Sequence, residues 1–245
     1  MSSVQWIGLA FLAVFIAALY ASSRWAHPNV LAHFRPIPFF DQLRDAIASA
    51  AESGRVLHVS LGSGALASDQ AADSLAALNV LESIARRSTV LDQAPIVTLA
   101  DAALMPVALD MMREPSNQQV GLRPAPDVRW LAPCAPAYAA GVMEILSGSD
   151  VVTSVMVGTY GDEYLLMGEA AKRRNCRQLA GASDPTVLPF VLATAEGMLM
   201  GEELYAAGAY LSGHTWHVSS LLAQDLVRWI IALVVLALVG YNSIF

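Results

Sequence analysis

Cysteine is scarce in this 245-residue chain: there are two, Cys134 and Cys176, with no C-x-x-C pair and no Cys/His group at metal-ligand spacing. Two thiols cannot form a disulfide framework for a domain of this size. They fit a reduced compartment, with one bridge still open. Positive charge is also scarce. Lysine and arginine number 14 against 21 acids, for a formal net charge of −7, and no basic stripe runs along the chain. That argues against a nucleic-acid partner, because such binding depends on neutralising phosphates. The one basic cluster, Lys172-Arg173-Arg174 with Arg177, reads as the solvated end of a helix. No Walker P-loop, G-x-S-x-G elbow or H-E-x-x-H is present, which weighs against an enzyme and names no cofactor.

Two long apolar runs are present, one at each end. Val4 to Ala21 is interrupted only by Gln5, and Leu226 to Phe245 is broken early by Arg228. A bilayer core of about 30 Å needs roughly 20 helical residues, so both read as spans. A cleaved signal peptide fits the first less well, since Met1-Ser2-Ser3 supplies no positive n-region. Neither run carries an acid or base at its centre, which argues against a transport path. Arg24, Arg35 and Arg228 flank the inward ends, and the positive-inside rule then puts the central domain in the cytoplasm. Trp6, Tyr20, Trp25, Trp229 and Tyr241 fall near the expected interfaces. Ala10, Ala13 and Ala17 in the first run, with Ala232, Ala237 and Gly240 in the second, suggest a small-residue seam within the chain or between subunits.

The organisation expected is a transmembrane helix at 4–23, a membrane-proximal linker and amphipathic helix at 24–54, a Rossmann-like α/β domain at 55–220, and a transmembrane helix at 226–245. Pro28, Pro36 and Pro38 keep the linker extended, and Phe40, Leu43, Ile47 and Ala51 recur at helical spacing. That helix either covers the domain or lies at the membrane interface; its mixed charges favour covering. Five strands are expected at Val56–Leu61, Pro95–Leu99, Val128–Leu131, Val151–Val157 and Arg177–Ala180. Helices are expected from Asp73 to Arg87, Asp101 to Arg113, Pro136 to Leu146 and Glu163 to Asn175, with a long helical region from Thr186 to Leu211. Glu114 to Pro126 reads as a polar connection with Ser116-Asn117 exposed. Strands alternating with helices call for a mostly parallel sheet of about five strands, covered on both faces.

Several stretches carry a resemblance. They are Leu57-His58-Val59-Ser60-Leu61-Gly62-Ser63-Gly64, Pro95 to Asp101, Gly158 to Leu166, Gly181-Ala182-Ser183-Asp184-Pro185, and Ser220 to Asp225 leading into the last run. Together they resemble a family of bacterial membrane proteins built on a domain of unknown function, seen in Chloroflexus-like bacteria and others. The resemblance implies two spans in a bacterial inner membrane and supplies no activity.

Gly62-Ser63-Gly64 follows the first strand, where a dinucleotide fingerprint would sit, but the third glycine is replaced by Ala67. Asp101 stands where a ribose-binding acid would be sought, though about 40 residues on rather than about 20. A tight turn is the favoured reading. Gly158-Thr159-Tyr160-Gly161-Asp162-Glu163 reads first as a helix start capped by Asp162 and Glu163, and second as a ligand loop. If the carboxyl edge of the sheet binds a ligand, Gly62, Ser63, Gly64, Asp101, Gly158, Tyr160, Gly161 and Asp184 would line the site. Glu169, Glu196, Glu202 and Glu203 read as solvent-facing acids, and His58 as a hydrogen-bonded strand histidine. His214 and His217 lack a third ligand for zinc. Two functions follow: a membrane-anchored scaffold or assembly protein whose domain mediates self-association or partner docking, or a small-ligand or nucleotide sensor or cryptic enzyme. The expected partners are the bilayer and further copies of the chain.

Overall fold

The computed structural model describes residues 3–25, 35–88, 91, 93–117, 125–212 and 215–244. Within it the chain forms two compact units, 36–207 and a second made of 1–35 with 208–245.

The first unit is built on a parallel sheet. The central strands are β1 (Val56–Gly62) and β4 (Val151–Thr159), with β2 (Ile96–Leu99) and β3 (Asp127–Trp130) to one side and β5 (Arg177–Ala182) and β6 (Gly197–Met200) to the other. All pairings are parallel and the order is β3-β2-β1-β4-β5-β6. All of β1 and nearly all of β4 are buried, as expected of strands covered on both faces. Within this unit α3 (Ala71–Arg87), α4 (Met105–Asn117), α5 (Ala135–Gly148) and α6 (Tyr164–Arg173) follow β1 to β4 in turn. α7 (Leu188–Thr194) follows β5. Tyr138, Val142, Tyr164, Met167 and Val191 of α5, α6 and α7 share one core with Met156 and Ala180 of the sheet. Leu179 alternates with Ala180 and so faces the other way, toward Gln42 of α2 (Pro38–Ser53): both would meet a Cβ placed on Gly197.

Helix α2 buries Phe39, Phe40, Leu43, Ala46, Ile47 and Ala50. The seam expected from Phe40, Leu43 and Ile47 is present and covers the sheet, with Ala50 rather than Ala51 completing it. Pro38 opens the helix and Gly54, at φ 65°, closes it in the left-handed conformation.

The observed sheet has six strands among the described residues, one more than expected. The long helical region is broken: α7 stops at Thr194, β6 occupies Gly197–Met200, a 3-10 turn spans Gly201–Leu204 and α8 is Ala207–Ser212. Pairing of Leu199 with Gly181 and Met200 with Ala182 makes this segment a strand despite its helix-forming composition. α4 runs on to Asn117, so Ser116 and Asn117 belong to its last turn and not to a loop; residues 118–124 of the expected connection lie outside the described residues.

In the second unit α1 (Ser3–Trp25) packs along α9 (Thr215–Ile244). Ser22 Oγ donates to the Ser219 carbonyl at 2.9 Å. The buried side of α1 carries Ala18 flanked by half-buried Phe15, Leu19 and Ser22, while Ala13 and Ala17 are exposed. The contact within one chain thus uses a neighbouring face of α1 from the expected alanine seam. Ala232 is exposed too, whereas the side chains of Ala10 and Ala237 lie outside the description. α9 begins at Thr215, ahead of the expected Leu226, because Val218 packs with Ala209 of α8 and with Leu221 and Leu222. Among the described residues one helix is long and apolar enough to cross a bilayer, over Trp216–Leu236; α1 supplies a shorter apolar stretch, Phe11–Ser22. One candidate span therefore stands where two were expected. Pro28 of the expected linker and His214 lie outside the described residues.

Since Phe40 is 2% exposed, Phe40→Ala should cost about 3–5 kcal/mol. Asp45→Ala, on the exposed face, should stay within about 0.5 kcal/mol. Denaturant unfolding of the full chain in detergent checks both; a loss under about 1 kcal/mol at Phe40 would remove α2 from the core.

Candidate functional site

A doubly wound sheet offers its binding crevice where strand order reverses, outside the carboxyl ends of the two strands that flank the reversal. Here those strands are β1 and β4. Their following loops hold most of the residues singled out from the sequence, and the geometry shows what the glycines do. Gly62 has φ 84° and a Cβ there would strike the Thr159 carbonyl; Gly158 has φ 144° and a Cβ there would strike the Leu61 carbonyl. Gly64 faces Thr159 again, with Oγ1 2.6 Å from where its Cβ would lie. Ser63 N–H donates to the Thr159 carbonyl at 2.9 Å. The glycines admit the chain's own β4 end. The turn at 65–68 also separates the loop from α3, which starts only at Ala71.

The acids at this edge bond to neighbouring chain. Asp101 Oδ2 accepts from Leu66 N–H at 3.0 Å and Oδ1 from Ala103 N–H at 2.9 Å, which ties the β1 loop to the end of β2. Glu163 Oε1 accepts from Ser63 Oγ at 3.0 Å and Gly161 N–H at 2.9 Å. Glu163 therefore clamps the two glycine loops together and does not cap α6, as first read. Asp184 Oδ1 accepts from Thr186 N–H and Thr186 Oγ1, each at 2.8 Å, and these bonds hold its carboxyl below the usual carboxylate range.

The centre of the edge is a residue the sequence reading took only as a helix start. Asp73, in the first turn of α3, is 4% exposed. Its Oδ2 accepts from Ser183 Oγ at 2.5 Å and Thr159 Oγ1 at 3.2 Å, and its Oδ1 from Tyr205 OH at 2.6 Å. One carboxylate thus gathers the ends of β4 and β5 and the segment after β6. Its partners lie 86, 110 and 132 residues away in sequence, a separation no local pattern signals. Ser74 beside it is 1% exposed, and its Oγ, near Gly64, has no hydrogen-bond partner among the described residues.

Tyr160, expected at the edge, turns inward. Its hydroxyl donates to the Ser60 carbonyl at 3.0 Å and lies 2.8 Å from Ser60 Oγ. Ser60 Oγ also meets Tyr138 OH at 2.7 Å, and Tyr138 OH lies 3.1 Å from Thr98 Oγ1. His58 completes the layer, with Nδ1 2.8 Å from Ser154 Oγ and Nε2 3.0 Å from Thr98 Oγ1. Burial holds the His58 imidazole neutral, pushing it down to about 3, with Arg129 adding to the effect. Burial likewise pushes the Tyr138 phenol up to about 12.

The remaining candidates stay apart. Glu169 and Glu196 pair with Arg173 at 3.9 Å and Arg177 at 3.3 Å, and neither acid is buried. Glu203 Oε2 accepts from Met200 N–H at 3.2 Å. Among the described residues no group of three or more His, Cys, Asp or Glu is placed to hold a metal. Cys134 is exposed and Cys176 buried, both as free thiols. A groove of about 380 Å³ runs along the first half of α4, lined by Met105, Pro106, Leu109, Asp110 and Arg113 with Ala102. The arrangement at the carboxyl edge holds loops together through hydroxyl–carboxylate hydrogen bonds.

Two outcomes follow. Gly62→Ala should lose more than about 1 kcal/mol, while Gly148→Ala, with open space around it, should lose nothing. Equal unfolding midpoints for both variants would refute the close β1–β4 approach. The folded His58 titrates near 3 and the unfolded one near 6.5. Between those values only the unfolded state takes the proton, so stability should fall as pH drops below 6.5, by up to about 1.4 kcal/mol per pH unit. The difference between wild type and His58→Gln across pH 7 to 4.5 isolates this effect, and a constant difference would rule it out.

No curated protein and no solved structure matches the chain. A family match runs over residues 2–244, which covers both units and every residue of the carboxyl edge. The chain belongs to the family described as Domain of unknown function (DUF6754).

Proposed function

We propose that this protein is an integral membrane scaffold, anchored by α1 and α9 as a two-helix hairpin, whose α/β domain mediates self-association or the docking of partners in the cytoplasm. The observation that carries this reading is the close approach of β1 and β4, in which Gly62 and Gly158 lie against the backbone of Thr159 and Leu61. Leu166 and Leu192, on the neighbouring helices α6 and α7, are 52% and 64% exposed, and Trp130 on edge strand β3 is 47% exposed. Exposed apolar groups of this size suit association. The apolar stretch Trp216–Leu236 supports an anchor in α9, and α1, with the shorter apolar stretch Phe11–Ser22, packs beside it. Arg24, Arg35 and Arg228 favour a bacterial inner membrane protein with the domain inside.

One observation favours a second reading. Ser74 Oγ, buried and unpartnered near Gly64, is a donor that a small ligand would satisfy if the loop opened. A ligand at a hundred times its dissociation constant adds about 2.7 kcal/mol to stability. A thermal-shift panel of nucleotides and small metabolites separates the readings: no shift is expected, and a reproducible shift lost in Ser74→Ala would favour the sensor.

The scaffold reading predicts that the detergent-solubilised full chain scatters light as an assembly of two or more copies; a single-chain mass overturns it. The orientation predicts that Cys134, which is exposed, reacts with an impermeant maleimide only after cells are permeabilised. Labelling in intact cells would reverse the topology.

A further inference from the structure

At the β3 edge of the sheet an apolar stripe of α4 stands beside an exposed tryptophan. Strand β3 pairs with β2 and with no other strand among the described residues. Arg129 of β3 aligns with Thr98, whose Oγ1 lies 3.1 Å from Tyr138 OH of α5, so Arg129 is on the α5 face of the sheet. Trp130 alternates with it and therefore faces the side of α4, which packs on β3. Its ring is held by Nε1–H, which donates to the Ala100 carbonyl at 2.8 Å, yet the residue is 47% exposed. A large ring already fixed in one orientation loses little freedom on binding, and such rings carry much of the energy of protein interfaces.

Helix α4 continues this face. Leu104, Ala108 and Met112 turn to the core. On the next side of the helix Ala102, Met105, Pro106, Leu109, Asp110 and Arg113 line the groove of about 380 Å³, and none of them is buried. Their three- and four-residue steps make them one stripe. Among the described residues the lining comes from α4 and the turn before it alone, so the stripe faces away from α3, its neighbour on the sheet. The stripe is apolar from Ala102 to Leu109, and Asp110 and Arg113 close it with one exposed charge of each sign.

We propose that a second copy of this chain docks on this face, stripe against stripe about a two-fold axis, with the two Trp130 rings at the rim of the contact. Across a two-fold axis residue i of one copy meets j of the other and j meets i, so Asp110 of each copy faces Arg113 of the other. A stripe with both signs beside apolar groups is complementary to itself, and this is why the occupant is another copy and not a partner of one sign. The apolar part supplies the desolvated centre, and the charges set the register. The inference rests on the self-association reading and names the surface that carries it.

The test cross-links the full chain in its membrane with a short bismaleimide, on a Cys134→Ser background that removes the exposed native thiol. Leu109→Cys lies on the stripe; Leu75→Cys, on α3 and 55% exposed in the native residue, lies off it. Leu109→Cys should join two copies and Leu75→Cys should not. Added to Leu109→Cys, each of Asp110→Arg, Arg113→Asp and Trp130→Ala should lower the dimer yield about tenfold. Asp110→Arg and Arg113→Asp together in one chain should restore it, because the charges have then only exchanged places. Equal yields at positions 109 and 75, any of the three single changes at full yield, or no recovery in a folded double swap overturns the proposal. If a swapped chain loses its thermal transition, Asp110→Asn and Arg113→Gln decide: a lower yield in both supports the contact and full yield in both overturns it. Light scattering of the solubilised chain separates this from assembly itself. A single-chain mass removes the self-association reading along with this face, whereas an assembled chain indifferent to these changes removes only this face.

Discussion

The close approach of β1 and β4 at their carboxyl ends is the constraint on which the rest of the α/β unit depends. Gly62 and Gly158 each present bare backbone to the other strand's terminal carbonyls, and any side chain at either position would force the strands apart. Their proximity seats Thr159, and Thr159 in turn donates to Asp73. Asp73 then holds Ser183 and Tyr205, so one backbone contact organises four loops. A carboxylate buried in this way needs donors on both oxygens, and three hydroxyls supply them without bringing in a second charge.

Below that edge lies a polar layer inside an otherwise apolar core. His58, Ser60, Thr98, Ser154 and Tyr138 are all 0% exposed and connected through their side chains. Alternation along β1 puts His58 and Ser60 on the same face, where α5 supplies Tyr138. Satisfied networks of this kind favour one strand register, since slipping by a residue would strand every member without a partner. Tyr160 joins the layer to the glycine loop above it: its backbone follows Thr159 and its hydroxyl reaches Ser60. The loop at the switch point is thus braced from beneath as well as from the front.

The second unit likewise satisfies polar groups within the chain. α1 is apolar on nearly all sides, whereas the first half of α9 mixes Ser219, Ser220, Gln224, Asp225 and Arg228 among its apolar residues. Ser22 and Ser219 satisfy one polar contact within the chain.

Much of this protein can be read from residue order alone. The β-branched runs Val56–Leu61 and Val151–Val157 lie within strands, and their continuity announced a sheet buried on both faces. The glycine loops signalled close approach, and the helical spacing of Phe40, Leu43 and Ile47 announced a covering helix. These are local properties, set by propensity and period, and neighbours in sequence are enough to express them. β6 was hidden because Gly197-Met198-Leu199-Met200 has no β-branched residue and becomes a strand only through its pairing with β5. The buried side of α1 was misplaced because Ala13 and Ala17 suggest a seam only until Ser22 meets Ser219 and sets the rotation. Which segment the glycine loops approach, and which three segments Asp73 ties together, are questions about partners distant in the chain. Only the tertiary structure decided them, because a side chain's chemical role is fixed by the groups that folding brings within bonding distance, and residue order does not carry those distances.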